Sequence, residues 1–423
     1  MKFLLVSNSP IQNSYFEKFL RDNNFEFKSI CGETVSPYNK KNASNLNFFS
    51  QIQRAIFFGN SSLNSFSYYH SLKVRRSNFF IFHLLLKFFS YFGRYFPNFS
   101  KKLLFFFDFI KLKTSKKLKD NFDAVIFSGI ISTQAELNYY FQAKKSKIPC
   151  IYCPYNWDNP SSKVYVPSFG FEKTVSWGKQ MTNYLETSDS NFGELIEQFP
   201  LRLEYLKKLK KDRNLSRSKK ILFALSQKQN KDILNFFSKL SFLEKSNQIN
   251  EVIIRPHPQN SLNSQDIYKV LSISNIFKLD TSYEEVLRRR GENIIPMTDE
   301  IFRKNLSISL VDSLREIDLL ICEAGTLCLE AGYLKIPVIG LMNNPYQSTA
   351  SMFGHFDHFK YLTTMSWFKP LFSDENIDKV ILNFLDSFDA RQNHNFEDVN
   401  YVLSDEGITK EKLLSFLQRY EIL

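Results

Sequence analysis

"DLLICEAGTLCLEAGYLKIPVIG", Asp318–Gly340, reads as a strand, a tight turn, a helix and a second strand. The first apolar run ends near Cys322, and the small residues Ala324, Gly325 and Thr326 form the turn. A helix then runs to about Tyr333, with Gly332 and Pro337 marking its exit. Short, nearly continuous apolar runs on either side of a helix suit a parallel sheet covered on both faces. Ligands of such sheets gather beyond the C-terminal strand ends, so the turn is where chemistry is expected. Gly325 permits close backbone approach and Thr326 can cap the helix. A helix start aims free N–H groups at a phosphate. Glu330 lies one turn in, where a carboxylate can accept both hydroxyls of a ribose; Glu323 is the rival acid. Gly-Thr before a helix is equally ordinary capping.

The same logic applies upstream to "IIRPHPQN", Ile253–Asn260. Arg255 and His257 follow an apolar strand, and Pro256 and Pro258 fix the backbone around them. Arg offers a planar fork of donors and His can donate or accept, which suits an anion or a sugar hydroxyl. The plainer alternative is a solvent-facing Arg with a His that closes the strand end.

Strand and helix alternate over most of the 423 residues. "KFLLVSNS", "YFEKFLRDNN" and "FEFKSICG" open the chain, and "FDAVIFSGI", "STQAELNYYFQAKK", "IPCIYC" and "KTVSWG" continue the pattern. After the charged stretch from Leu201 to Lys220 the rhythm restarts with "ILFALS" and "EVIIRPHP". The expected fold is therefore α/β, with two Rossmann-like parallel-sheet domains facing a cleft. The first would span 1–200, with a basic, Phe-rich helical insert at about 61–120, and 201–219 would be a linker. The second would span 220–395, and 396–423 would hold a closing helix.

The net charge of +12 is concentrated in the insert, where residues 61–120 hold 12 Lys or Arg, 2 Asp and 13 Phe. Three readings fit: buried helices with a solvated basic face, contact with an anionic membrane surface, or polyanion binding. The apolar run there is too short and interrupted to span a bilayer. "MKFLLVSNSP" lacks signal-peptide character. A cytoplasmic address is expected, with the inner membrane face as the place of any peripheral contact, and no nucleic acid partner. Five cysteines in no metal spacing read as buried thiols.

"PYNWDNPSSKVYVP", Pro154–Pro167, sets Asn156, Trp157, Asp158, Asn159, Ser161, Ser162 and Lys163 after a strand. Directional polar groups beside a flat ring suit sugar recognition. Asp158 is the candidate general base for an attacking hydroxyl; bracing of the loop is the competing role. No Asp-x-Asp pair follows a strand, and His355 and His358 lack a third ligand at sensible spacing, so neither a metal nor a cofactor is expected.

"IIRPHP" followed by "EAGTLCLEAGYLKIPVIG" resembles the C-terminal domain of GT-B glycosyltransferases and related enzymes of surface polysaccharide synthesis. That group includes capsule polysaccharide biosynthesis proteins, CDP-glycerol glycerophosphotransferases and nonhydrolysing UDP-N-acetylglucosamine 2-epimerases. "NWDNPSSKV" is similar to the Trp-Asp-Asn-Leu-Thr-Ser-Lys-Gly stretch of some of them, with Pro160 and Val164 as departures. The resemblance implies a glycosyltransferase that moves a sugar from a UDP-, CDP-, GDP- or CMP-activated donor to an oligosaccharide or lipid-linked glycan of the cell surface. A glycerophosphotransferase, an epimerase and a non-catalytic nucleotide- or glycan-binding protein are its alternatives. By position it gives donor-site roles to Arg255, His257, Gly325, Thr326 and Glu330, and leaves Asn156, Trp157, Asn159 and Lys163 as binding residues around Asp158. His257 would act on the donor side as an electrostatic catalytic group.

Overall fold

The computed structural model describes residues 1–7, 10–31, 48–60, 80–129, 131, 133–157, 160, 164–188, 190–209, 219–225, 233–246, 248–256, 264–281, 283, 310, 312–322, 325–341, 361–371, 376–390, 396–407 and 409–412. They fall in two compact units, drawn mainly from Met1–Glu204 with Asn400–Leu423, and from Tyr205–Gly354 with Phe359–Val399.

The first unit runs β1 (Lys2–Ser7), α1 (Pro10–Asp22), β2 (Glu26–Cys31), α2 (Phe48–Gly59), α3 (Phe80–Tyr95), α4 (Pro97–Thr114), β3 (Ala124–Phe127), α5 (Gln134–Ser146), β4 (Cys150–Tyr152), β5 (Lys173–Ser176), α6 (Lys179–Glu186) and β6 (Glu194–Glu197). Its six strands are all parallel, in the order β2-β1-β3-β4-β5-β6. Phe3, Leu4, Leu5 and Val6 are almost fully buried on both faces of the sheet, as a central parallel strand requires. Helix α5 begins with a reciprocal cap. The Thr133 side chain accepts from the Glu136 N–H, and Glu136 Oε2 accepts from the Thr133 N–H at 2.9 Å.

Of the Phe-rich insert, Phe80–Tyr95 and Pro97–Thr114 are helical. Helices α2 and α3 cross at backbone distance: a Cβ on Gly59 would run into Ser90 O, and one on Gly93 into Ile56 O. Helix α4 buries a narrow stripe of Ser100, Leu104 and Asp108. The Asp108 carboxylate accepts from Ser168 N–H at 2.7 Å, Tyr165 Oη at 3.2 Å and Gln53 Nε2 at 3.3 Å. Lys111, one turn on, donates to Ser50 Oγ at 2.9 Å. Burial pushes the Asp108 carboxyl above its usual range and draws the Lys111 ammonium down.

The second unit runs α7 (Glu204–Lys207, its first residue in the other unit), β7 (Lys219–Ala224), α8 (Ile233–Leu240), β8 (Ile249–Arg255), α9 (Ser264–Leu271), β9 (Phe277–Leu279), β10 (Leu319–Cys322), α10 (Thr326–Tyr333), β11 (Val338–Leu341), β12 (Phe368–Leu371) and α11 (Ile377–Ala390). Its strands are also all parallel, ordered β12-β11-β10-β7-β8-β9. The core is built from Ile221, Phe223, Val252, Ile254, Leu319 and Ile321 with the helices that cover them.

Of the expected closing helix, residues 413–423 lie outside the described residues. The part before it starts as a 3-10 turn, Phe396–Tyr401. The chain then returns to the first unit, where Ser404 N–H donates to Trp177 O and Phe199 N–H to Glu406 O, both at 2.6 Å.

Candidate functional site

Sheet order locates the site in the second unit. From β7 the chain builds outward through β8 and β9, then crosses back to β10 on the other side of β7. Such a reversal opens a crevice at the C-terminal ends of the two strands it separates, here β7 and β10. Gly325 and Thr326 follow β10 directly. Among the described residues, a Cβ built on Gly325 would meet nothing within 4 Å. Thr326 was expected as the cap, but Gly325 holds that place, in extended backbone and without a side-chain cap hydrogen bond. Thr326 is instead the first helical residue. The turn leaves the N–H groups of Thr326 and Leu327 without intrahelical acceptors, while Cys328 N–H turns back to Gly325 O at 3.0 Å.

Glu330 follows one turn into α10. It is 4% exposed, and its Oε2 accepts a 2.7 Å hydrogen bond from Tyr205 Oη. Behind the helix, a Cβ on Gly332 would lie 2.6 Å from the Trp367 ring, so α10 rests on an aromatic face. Cys322 and Cys328 bring their sulfurs to 3.5 Å as buried free thiols.

Arg255 is held elsewhere. It ends β8 in register with Ala224, which is in register with Cys322, so its Cα stands about 10 Å from β10 across two strand spacings. Its guanidinium pairs at 2.7 Å with Asp280, which follows β9 on the far side of β8, and the Asp280 side chain is 2% exposed. Ser313 Oγ also donates to Asp280, at 2.9 Å. Arg255 is largely buried and paired, not the solvent-facing residue that its sequence position also allows. It braces the strand ends. The structure brings Gly325, Thr326 and Glu330 together and commits Arg255 to Asp280. His257, Glu323 and Ala324 lie outside the described residues.

In the first unit the loop after β4 is described through Trp157. That indole was expected as an open sugar platform, yet it is 3% exposed and its Nε1 donates to Gln180 Oε1 at 2.9 Å. An apolar ring that closes a core gains more from burial than from exposure. Asn156 Oδ1 accepts from Arg202 Nη1, which also reaches Tyr155 O at 3.3 Å. The Arg202 guanidinium lies 4.7 Å from the Tyr155 ring centroid and 5.9 Å from that of Trp177. Arg202, Tyr155 and Trp177 line a pocket with Gln12 and Tyr15. Gln12 Oε1 is buried there with no hydrogen-bond partner among the described residues. Arg202 and Gln12 escaped the sequence reading. Arg202 sits in the charged stretch taken for a linker, and Gln12 carries no motif. Asp158, Asn159, Ser161, Ser162 and Lys163 lie outside the described residues, as do His355 and His358.

Cys150 and Cys153 are fully buried, and burial drives both thiols far above their ordinary value. That leaves them protonated and inert. Among the described residues no group of three or more His, Cys, Asp or Glu could hold a metal.

No protein-family model matches the chain, and no curated protein does. Among solved structures it is similar to a UDP-N-acetylglucosamine 2-epimerase, at 11% identity and a TM-score of 0.50, over 100% of this chain and 97% of that one. A calicheamicin glycosyltransferase matches at 10% identity and a TM-score of 0.49, over 99% and 98%. The Neisseria meningitidis UDP-GlcNAc 2-epimerase bound to UDP-GlcNAc matches at 13% and 0.46, over 99% and 100%. With two six-stranded parallel sheets, each flanked by helices, the chain has a GT-B-like α/β fold.

Proposed function

We propose that this protein is a nucleotide-sugar-dependent glycosyltransferase of surface polysaccharide synthesis. The observation that carries the reading is the coincidence at the β7/β10 crossover of a glycine turn, a helix start and a buried carboxylate one turn in. A diphosphate would sit at the first N–H groups of α10, and Glu330 would take the ribose hydroxyls, exchanging its Tyr205 partner for them. In the reaction the bond from the anomeric carbon to the diphosphate oxygen breaks, and the electron pair leaves with the nucleotide. The acceptor hydroxyl oxygen forms the new bond as its proton passes to a base, for which Asp158 is the candidate. Charge growing on the leaving group is met by the helix start. The acceptor would be an oligosaccharide or lipid-linked glycan, and the aromatic pocket around Arg202 offers stacking faces for a sugar ring.

A thermal-shift panel of UDP, CDP, GDP, CMP and their sugar conjugates tests the donor site. Stabilisation by one nucleotide series that weakens in Glu330→Gln supports it, and silence across the panel overturns it. Product analysis then separates activities: nucleotide release that depends on a glycan acceptor marks a transferase, whereas sugar interconversion without an acceptor marks an epimerase and rejects the transferase.

A further inference from the structure

The exposed apolar surface of the described residues is concentrated in one place. Of 16 exposed large hydrophobic residues, 11 lie between Leu84 and Ile110, on α3, on α4 and at Phe96 between them. Scattered exposure of this kind is ordinary, but contiguous patches mark interaction sites. On α3, Leu84, Phe88, Tyr91 and Tyr95 recur at intervals of four, three and four, which makes a single stripe. Phe88 is 62% and Tyr95 69% exposed. This is the periodicity by which a helix meets a core, turned outward. The opposite side of α3 is committed, because Ser90 and Gly93 meet α2 at backbone distance and the helix cannot roll to bury the stripe. Helix α4 repeats the arrangement, with Asp108 in its buried stripe and Phe106, Phe109 and Ile110 outside.

Charge identifies the occupant. From Phe80 to Asp120 nine Lys or Arg face two acids. One of these is Asp108, buried, and the other is Asp120, paired with Lys28 at 3.0 Å. Lys87 and Arg94 flank the α3 stripe at seven-residue spacing, and the Lys113 ammonium lies 5.3 Å from the Phe109 ring centroid on α4. A second copy of this face would oppose like charge with like. A nucleic acid would welcome the charge and could stack its bases on the aromatic rings, but it has no use for the aliphatic Leu84, Leu85 and Ile110 exposed among them, which lipid takes up together with the rings. An anionic bilayer surface satisfies both properties, with apolar side chains entering the acyl boundary and Lys and Arg staying at headgroup level.

We propose that the α3–α4 face docks the first unit onto an anionic membrane surface. It does so without crossing the bilayer, since no helix among the described residues is long and apolar enough to span one. The inference goes beyond the donor-site reading and stands or falls separately from it.

Vesicle co-sedimentation of the full chain decides it, with phosphatidylcholine alone against phosphatidylcholine mixed with phosphatidylglycerol. Binding is expected to the anionic vesicles only and to weaken with salt. Phe88→Gln and Phe106→Gln, each at an exposed position, should lower partitioning by roughly tenfold apiece, the worth of an apolar side chain withdrawn from lipid. Circular dichroism and thermal melts check that both variants fold. Equal binding by the folded variants, or wild type remaining in the supernatant, overturns the proposal. So does a wild type that dimerises in sedimentation velocity through these two Phe, or that binds single-stranded nucleic acid while ignoring vesicles.

Discussion

Tyr205 Oη donates a 2.7 Å hydrogen bond to Oε2 of Glu330 and so closes over a carboxylate that is 4% exposed. The two residues are 125 positions apart, and α7 contributes the tyrosine from the point where the second unit begins. Tyr205→Phe removes a donor from a buried charged acceptor. The expected cost is about 1–3 kcal/mol, read as a lower urea midpoint at unchanged slope. An unaltered midpoint would show that the hydroxyl carries no stability.

Glu330→Gln keeps an acceptor for Tyr205 but removes the negative charge. If the carboxylate grips ribose hydroxyls, nucleotide affinity should fall about tenfold, the worth of one charge-assisted hydrogen bond. Calorimetric titration of the folded variant measures it. Wild-type affinity would remove Glu330 from the donor site.

Arg255 and Asp280 form a pair at 2.7 Å with side chains 10% and 2% exposed. Arg255→Met leaves a buried carboxylate without its guanidinium, and a loss of about 3–5 kcal/mol is expected. The double variant Arg255→Met with Asp280→Leu should recover much of that loss. A single variant that melts with the wild type would refute the bracing role assigned here.

Burial raises the pKa of the Asp108 carboxyl. A carboxyl whose folded pKa lies above its unfolded one gives stability that is complete at pH below the unfolded value and is lost as pH rises through the folded value. Asp108→Asn cannot titrate. Its stability relative to wild type should therefore climb as pH rises from about 3.8, the ordinary value, until Asp108 is fully ionised in the wild type. Paired urea titrations across the acid range test the sign, and a constant difference rules it out.

Central strands were legible because burial on both sheet faces forces continuous apolar runs: "FLLV" and "LLIC" announce β1 and β10. Of the outer strands, β2 was legible as "FEFKSICG", but β6 and β12 were not. β6 and β12 lie at sheet edges, half-exposed, and β12 contains Pro370, which a central position would exclude. The turn before α10 was legible because Gly325, Thr326 and Glu330 are local in sequence. Whether Trp157 faces inward or outward depends on Gln180, a partner on α6, and no local pattern encodes that. Asp108 looked like a stray acid in a basic stretch, because its partners Gln53 and Tyr165 stand 55 and 57 positions away.

Gly332 has a meaning beyond packing. With the Trp367 ring 2.6 Å from where a side chain would begin, the depth at which α10 sits is governed from behind, by a residue with no path to a ligand. Selection, or an engineer, could thus retune how far the start of α10 projects while leaving Gly325, Thr326 and Glu330 unchanged.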